Sequence, residues 1–156
     1  MAMCNEIHLR KTEVGEGIDT IYFGGGTPSL LNKEELGLLL KAIHKIGTIN
    51  TQPEITLEVN PEDCTKQKLT DWLELGFNRL SIGLQSFMDD DLKWMNRSHD
   101  AKQATKAVKD ARKTGFKTIS VDLIYGLPGL KQKDWLDNLT KALALSPDHI
   151  SAYCLT

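Results

Sequence analysis

Paired cysteines are missing from this sequence of 156 residues: Cys4, Cys64 and Cys154 are odd in number and far apart. Without a C-x-x-C pair, neither a disulfide framework nor a zinc site is indicated, and each thiol reads as a small buried hydrophobe. Histidine is equally thin, since His8, His44, His99 and His149 are scattered and form no metal-ligand spacing. A charge excess is also absent, with 19 Lys and Arg against 21 Asp and Glu, a formal net charge of -2 and no basic block. That balance disfavours nucleic acid or an anionic membrane surface as partner. No run is long and apolar enough to span a bilayer, and the N-terminus lacks the apolar core of a signal peptide. The default address is cytoplasmic. Repeats and low-complexity linkers are lacking too, so the chain, 40% apolar, is expected to form one domain with a real core.

What is present turns on residues 19–29, where the apolar run at 19–23 empties into Gly24-Gly25-Gly26 and then Thr27-Pro28-Ser29. A strand ending in glycines brings bare backbone close to whatever sits above it. Pro28 stiffens the exit, and a helix begins within a few residues.

Strand and helix patterns then alternate. A helix-compatible segment at 1–11 carries Met3, Ile7 and Cys4 on one face. Asn32 with Glu35 reads as a helix cap, followed by Leu36, Leu39, Leu40 and Ile43 at helical spacing. A strand at 54–60 leads to a helix at 65–75 that points Leu69, Trp72 and Leu73 inward and stops at Gly76. A strand at 79–85, a short acidic-capped helix at 89–96, a longer helix at 100–114 and a strand at 118–125 follow. Trp135, Leu136, Leu139 and Leu143 mark a last helix, ended by Ser146-Pro147, before a strand at 149–155. Five strands separated by helices imply a parallel sheet with right-handed crossovers.

The strands are not uniformly apolar, as doubly covered parallel strands usually are. Ile55, Leu57 and Val59 oppose Thr56, Glu58 and Asn60; Leu80, Ile82 and Leu84 oppose Arg79, Ser81, Gly83 and Gln85; Ile119, Val121 and Leu123 oppose Thr118, Ser120 and Asp122. Burying Glu58, Gln85 and Asp122 without partners would cost several kcal/mol. The polar face therefore lines a cavity, and an open or partial β/α barrel, with its chemistry at the C-terminal ends of the strands, fits better than a doubly wound sheet. An antiparallel sheet with one wet face would show the same alternation; the intervening helices argue for parallel order.

Six segments carry a family resemblance: Phe23-Gly24-Gly25-Gly26-Thr27-Pro28-Ser29, Glu58-Val59-Asn60-Pro61, 79–87, Asn96-Arg97, 122–129 and 149–153. In order and spacing they resemble the radical S-adenosylmethionine (SAM) proteins of the oxygen-independent coproporphyrinogen III oxidase group, and the last segment is more similar to that group's heme chaperone branch. The resemblance implies a SAM-binding barrel core over 1–156, α/β and TIM-like, with about five parallel strands. It implies SAM contacts from Gly24, Gly25, Gly26, Thr27, Glu58, Gln85, Arg97 and Asp122. By its own sequence context Arg97 is a helix-end arginine in solvent; the resemblance gives it the methionyl carboxylate, which suits a guanidinium.

The family's 4Fe-4S cluster is held by a C-x-x-x-C-x-x-C loop that this sequence does not contain. Cys4, Cys64 and Cys154 do not match that loop. A piece of a longer protein is expected, catalytically silent by itself, because the cluster chemistry belongs to the cofactor. Three functions follow from the resemblance: part of a heme chaperone, with porphyrin or heme as the parent's partner; part of a coproporphyrinogen III oxidase; or a silent SAM-binding barrel piece. His149 reads as a strand-start residue rather than an iron ligand. The strand at 19–23 is expected to be an edge that invites self-association.

Overall fold

A computed structural model of the chain describes residues 2–15 and 17–155. Five strands, β1 (Ile18–Phe23), β2 (Ile49–Val59), β3 (Arg79–Gln85), β4 (Thr118–Tyr125) and β5 (His149–Cys154), form one sheet in which every neighbouring pair is parallel. Their order in space is their order in sequence. Right-handed crossovers that never reverse direction place all their helices on one face, and the twisted sheet curls around the other. The result is a half-barrel rather than a doubly wound sheet.

The helices are α1 (Ala2–Leu9), α2 (Lys33–His44), α3 (Lys66–Glu74), α4 (Asp89–Trp94), α5 (Ala101–Thr114) and α6 (Gln132–Ala144). Local chemistry starts them, at Asn32 as the sequence predicts. Asn32 and Glu35 exchange side-chain and backbone bonds, both 2.9 Å, at the head of α2. Asp100 and Gln103 do the same for α5, and Thr65 caps α3. Leu57, Leu80, Ile82, Leu84, Ile119, Val121 and Leu123 lie on the helix-facing side of β2, β3 and β4 with 0% exposure. Leu36 and Leu40 of α2, Leu69 and Trp72 of α3, and Val108 and Ala111 of α5 close over them. Each large side chain buried there contributes about 1.5–3 kcal/mol.

Three expectations are corrected. Strand β2 begins at Ile49, not 54, because Ile49 pairs with Ile18 before the register to β1 shifts at Thr20 and Glu54. The first helix ends at Leu9 and buries none of its residues, with Met3 59% exposed; Met1 lies outside the described residues. In α6, whose inward face the sequence leaves open, Trp135 and Leu139 pack on the core, Leu136 and Leu143 face outward, and the buried positions are Asn138 and Ala142. The cause is directional: Asn138 Oδ1 accepts the Phe87 N–H at 2.6 Å and the Ser86 hydroxyl at 3.3 Å, which turns the asparagine inward. The final strand stops at Cys154.

Candidate functional site

At the C-terminal ends of β1 to β4, the concave face of the sheet opens into a cavity of about 180 Å³. Gly26, Thr27, Glu58, Gln85, Arg97 and Asp122 line it together, with Pro28, Asn60, Ser81 and Gly83 among their neighbours. Parallel registry explains the convergence, since Glu58 stands beside Ser81, and Gly83 beside Asp122, on adjacent strands. The lower part of the same face does not line the cavity: Thr56 and Ser120 are buried, and Arg79 is paired with Glu54 at 2.8 Å. Gly24 and Gly25 stand just outside the lining residues.

One wall is the glycine loop after β1. Its exit is pinned where the Ser29 hydroxyl donates to Asp63 at 2.7 Å and Lys68 Nζ donates both to the Ser29 carbonyl and to Asp63. Both Glu58 oxygens are occupied. The Tyr22 hydroxyl donates to Oε1 at 2.7 Å, and the Gly25 N–H donates to Oε2 at 3.1 Å. The glycine edge thus fixes the carboxylate before any ligand arrives.

The opposite wall comes from β3 and the segment behind α4. Gln85 has φ +65°, left-handed backbone that a non-glycine residue adopts only when its surroundings enforce it. Here the enforcement is visible: the 85–88 turn is tied by Ser86 and Phe87 to the buried Asn138. Gly83 leaves the space for Gln85, because a Cβ at 83 would stand 2.7 Å from Gln85 Nε2. Asn96, φ +54°, ends α4 with the Arg97 N–H bonded to the Leu92 carbonyl at 2.9 Å, which brings the guanidinium back over the cavity. His99, buried, holds this segment by Nε2 to the Leu84 carbonyl at 3.1 Å and Nδ1 to Glu62 at 3.2 Å. Arg97 itself forms no ion pair with the described residues.

Across the floor, the Ser81 hydroxyl sits 3.2 and 3.3 Å from the two oxygens of Asp122. Burial pushes the Asp122 carboxyl above the usual range, and the Glu58 charge adds to the push, while the hydroxyls of Ser151 and Ser81 and the nearby His149 pull the other way. The Tyr22 phenol is pushed up to about 12, by burial first and then by its bond to Glu58.

Two carboxylates and one unpaired guanidinium over a cavity form a receptor for a small zwitterion with excess positive charge. The carboxylates take ammonium, hydroxyl or sulfonium groups, and the guanidinium takes a carboxylate. No three His, Cys, Asp or Glu side chains come together as a metal site among the described residues. Cys64 is buried, and its thiol is pushed up to about 12 chiefly by that burial, so it is inert rather than a ready ligand. Four contributors escaped the sequence analysis. Tyr22 sat inside an apolar run, Gly83 and Ser81 were placed on the polar face without a role, and His99 lay in a loop. Counting two residues back from Gly24 along the strand would have placed Tyr22 on the polar face.

Comparison with known proteins agrees with this geometry. The family model described as the Radical SAM superfamily matches residues 6–142. The chain is 42% identical over 139 residues to the heme chaperone HemW of Haemophilus influenzae, covering 89% of this chain and 36% of that protein. It is 39% identical over 151 residues to the mitochondrial radical S-adenosyl methionine domain-containing protein 1 of Danio rerio, covering 97% of this chain and 34% of the relative. Coproporphyrinogen III oxidase (HemN) from Escherichia coli superimposes with a TM-score of 0.88 at 32% identity, over 99% of this chain and 36% of that one. The chain therefore spans little more than a third of the length of these relatives. With the half-barrel, the glycine loop and the match over 6–142 in agreement, this chain belongs to the Radical SAM superfamily.

Proposed function

We propose that this chain is the SAM-binding half-barrel of a radical SAM heme chaperone. The observation that carries it is the convergence of Glu58, Asp122 and Arg97 on one cavity beside the glycine loop. SAM bears an ammonium, a sulfonium and a carboxylate, and the cavity offers two carboxylates and one guanidinium, so the charges complement one another. Glu58 and Asp122 would hold cationic or hydroxyl groups, Arg97 the carboxylate, and the backbone of Gly24, Gly25, Gly26 and Thr27 would lie along the ligand with Gln85 opposite. When bound, SAM would supply an alkyl group on sulfur whose reductive cleavage needs an electron donor. The family's 4Fe-4S cluster does not fit the residues of this chain: its three cysteines are free thiols that do not come together. No chemical step is therefore assigned to this chain.

The chaperone is favoured over the oxidase by relatives named heme chaperones at 42% and 37% identity, against 32% for the oxidase structure. Heme or porphyrin is accordingly the partner proposed for the whole protein. Oxidative decarboxylation of coproporphyrinogen III stands as the second assignment, on the TM-score of 0.88. A cytoplasmic address is proposed as well, supported by free thiols that a reducing compartment would preserve. No helix of the described residues is long and apolar enough to cross a membrane.

Titration of heme into the full-length protein, run beside an assay for protoporphyrinogen formation, separates the two. Tight heme binding without product supports the chaperone; product formation overturns it. For the chain itself, Glu58→Ala is expected to weaken SAM binding at least tenfold by calorimetry, since a bond to a charged group contributes about 1.5–3 kcal/mol. Equal affinity would mean the polar face is merely solvated. Self-association is also proposed, because β1 pairs only with β2 among the described strands and presents unpaired backbone groups. A monomer in sedimentation across a wide concentration range would refute that.

A further inference from the structure

Tyr22 stands opposite Thr56 in the β1–β2 register, so its side chain projects onto the concave face while Ile21, its neighbour, is buried on the helix side. Its hydroxyl reaches Glu58 Oε1 at 2.7 Å. The ring can lie there only because residue 24, next on that face, has no side chain. A Cβ at 24 would stand 2.5 Å from Tyr22 Cε1 and 2.9 Å from Glu58 Oε1. The space a side chain at 24 would need is therefore taken by the tyrosine ring and the carboxylate.

On the next two strands the Ser81 hydroxyl donates in the same way to Asp122, at 3.2 and 3.3 Å from its two oxygens. Each carboxylate of the concave face thus takes one neutral hydroxyl from a neighbouring strand: Glu58 on β2 from Tyr22 on β1, and Asp122 on β4 from Ser81 on β3. A tyrosine is suited to this, because around neutral pH it is a neutral donor where a glutamate is already ionised. At 53% exposure, much of the ring remains in solvent, so the side chain is not there to fill the core.

We propose that Tyr22 is a positioning residue for the SAM site, holding Glu58 in its ligand-ready orientation, and that Gly24 is glycine to admit the tyrosine ring. This rests on the SAM assignment above. Without the hydroxyl, Glu58 keeps only the Gly25 N–H and must be oriented by the ligand, so the cost appears in affinity rather than in folding.

The test uses the whole 156-residue chain, SAM as the probe in calorimetry, and a spectrophotometric titration of the tyrosines. Tyr22→Phe is expected to bind SAM about tenfold more weakly, with its thermal midpoint within a few degrees of wild type. In the titration, the last tyrosine to ionise should disappear in Tyr22→Phe and should ionise earlier in Glu58→Gln, a response that a ring with a merely structural role would not give. Wild-type affinity in Tyr22→Phe overturns the positioning role and leaves the SAM assignment standing. A tyrosine titration unmoved by Glu58→Gln overturns it as well. Failure of the wild-type chain to bind SAM overturns the SAM assignment, and the positioning role falls with it.

Discussion

The two faces of β2, β3 and β4 are built from alternate residues of the same strands, yet they hold together by different physics. On the helix side, Leu57, Leu80, Ile82 and Ile119 are sealed from solvent by contacts that have no preferred direction. On the concave side, Glu58, Ser81 and Asp122 are set by bonds of defined donor and acceptor, several of them to residues more than thirty positions away. The first face tolerates changes of shape if apolar volume is kept. The second tolerates changes of volume but not of partner. Stability resides chiefly in one and the proposed ligand recognition in the other, and the strands carry both because side chains alternate.

The largest effect that would break this comparison lies on the apolar face. Leu80→Ala removes a side chain with 0% exposure and should cost about 2–5 kcal/mol, read as a lower urea midpoint. A loss below about 1 kcal/mol would mean that the helix layer is loosely packed. Next comes Gly83→Ala on the polar face, where the new methyl meets Gln85 Nε2 at 2.7 Å. SAM affinity should fall several-fold while the urea midpoint changes by no more than about 1 kcal/mol of equivalent stability, because the far end of a flexible side chain yields. A large loss of stability with unchanged affinity would invert the proposed division between the faces.

The smallest effect sharpens the comparison through pH. Asp122 holds its proton more tightly in the folded chain than in the unfolded one, so its contribution is fully present below the ordinary aspartate range and is lost as pH rises through the folded value. Asp148 is the reverse case. The Ile119 N–H at 2.8 Å, then Arg112, hold its carboxyl below the usual range. Its contribution is present above that range and is lost as pH falls through the depressed value. Asp122→Asn should therefore be more stable than wild type at neutral pH, and Asp148→Asn less stable, both differences closing in acid. Half-exposed, Asp148 is screened by water, and its effect should stay within about 1 kcal/mol. Parallel slopes for the two variants in urea titrations at several pH values would contradict these assignments.

Features complete within a short stretch of chain were readable from the sequence, and those settled by distant partners were not. Alternation placed Ile55, Leu57 and Val59 on the buried face, and the cap at Asn32 is a local signal complete within four residues. Six of the eight expected cofactor contacts share one cavity, because motif order along a sequential sheet carries over into space. The errors fall where a distant partner decides. Helical spacing marks α6 without telling its inward face, because Asn138 is drawn inward by a turn some fifty residues earlier. The sequence starts β2 at 54, and only the pairing of Ile49 with Ile18 carries the strand back across Pro53. Tyr22 was missed because a hydroxyl that bonds across to the next strand looks, in one dimension, like any aromatic in an apolar run.

The unbroken strand order has a consequence for how such a chain comes into being. Each strand after β1 finds its first sheet partner in the strand made just before it. During synthesis the sheet can grow in one direction, unit by unit, and the site closes only when β4 delivers Asp122 beside Gly83. Growth of this kind leaves both borders open to extension, and a lineage could lengthen such a protein at either end without rethreading what already stands.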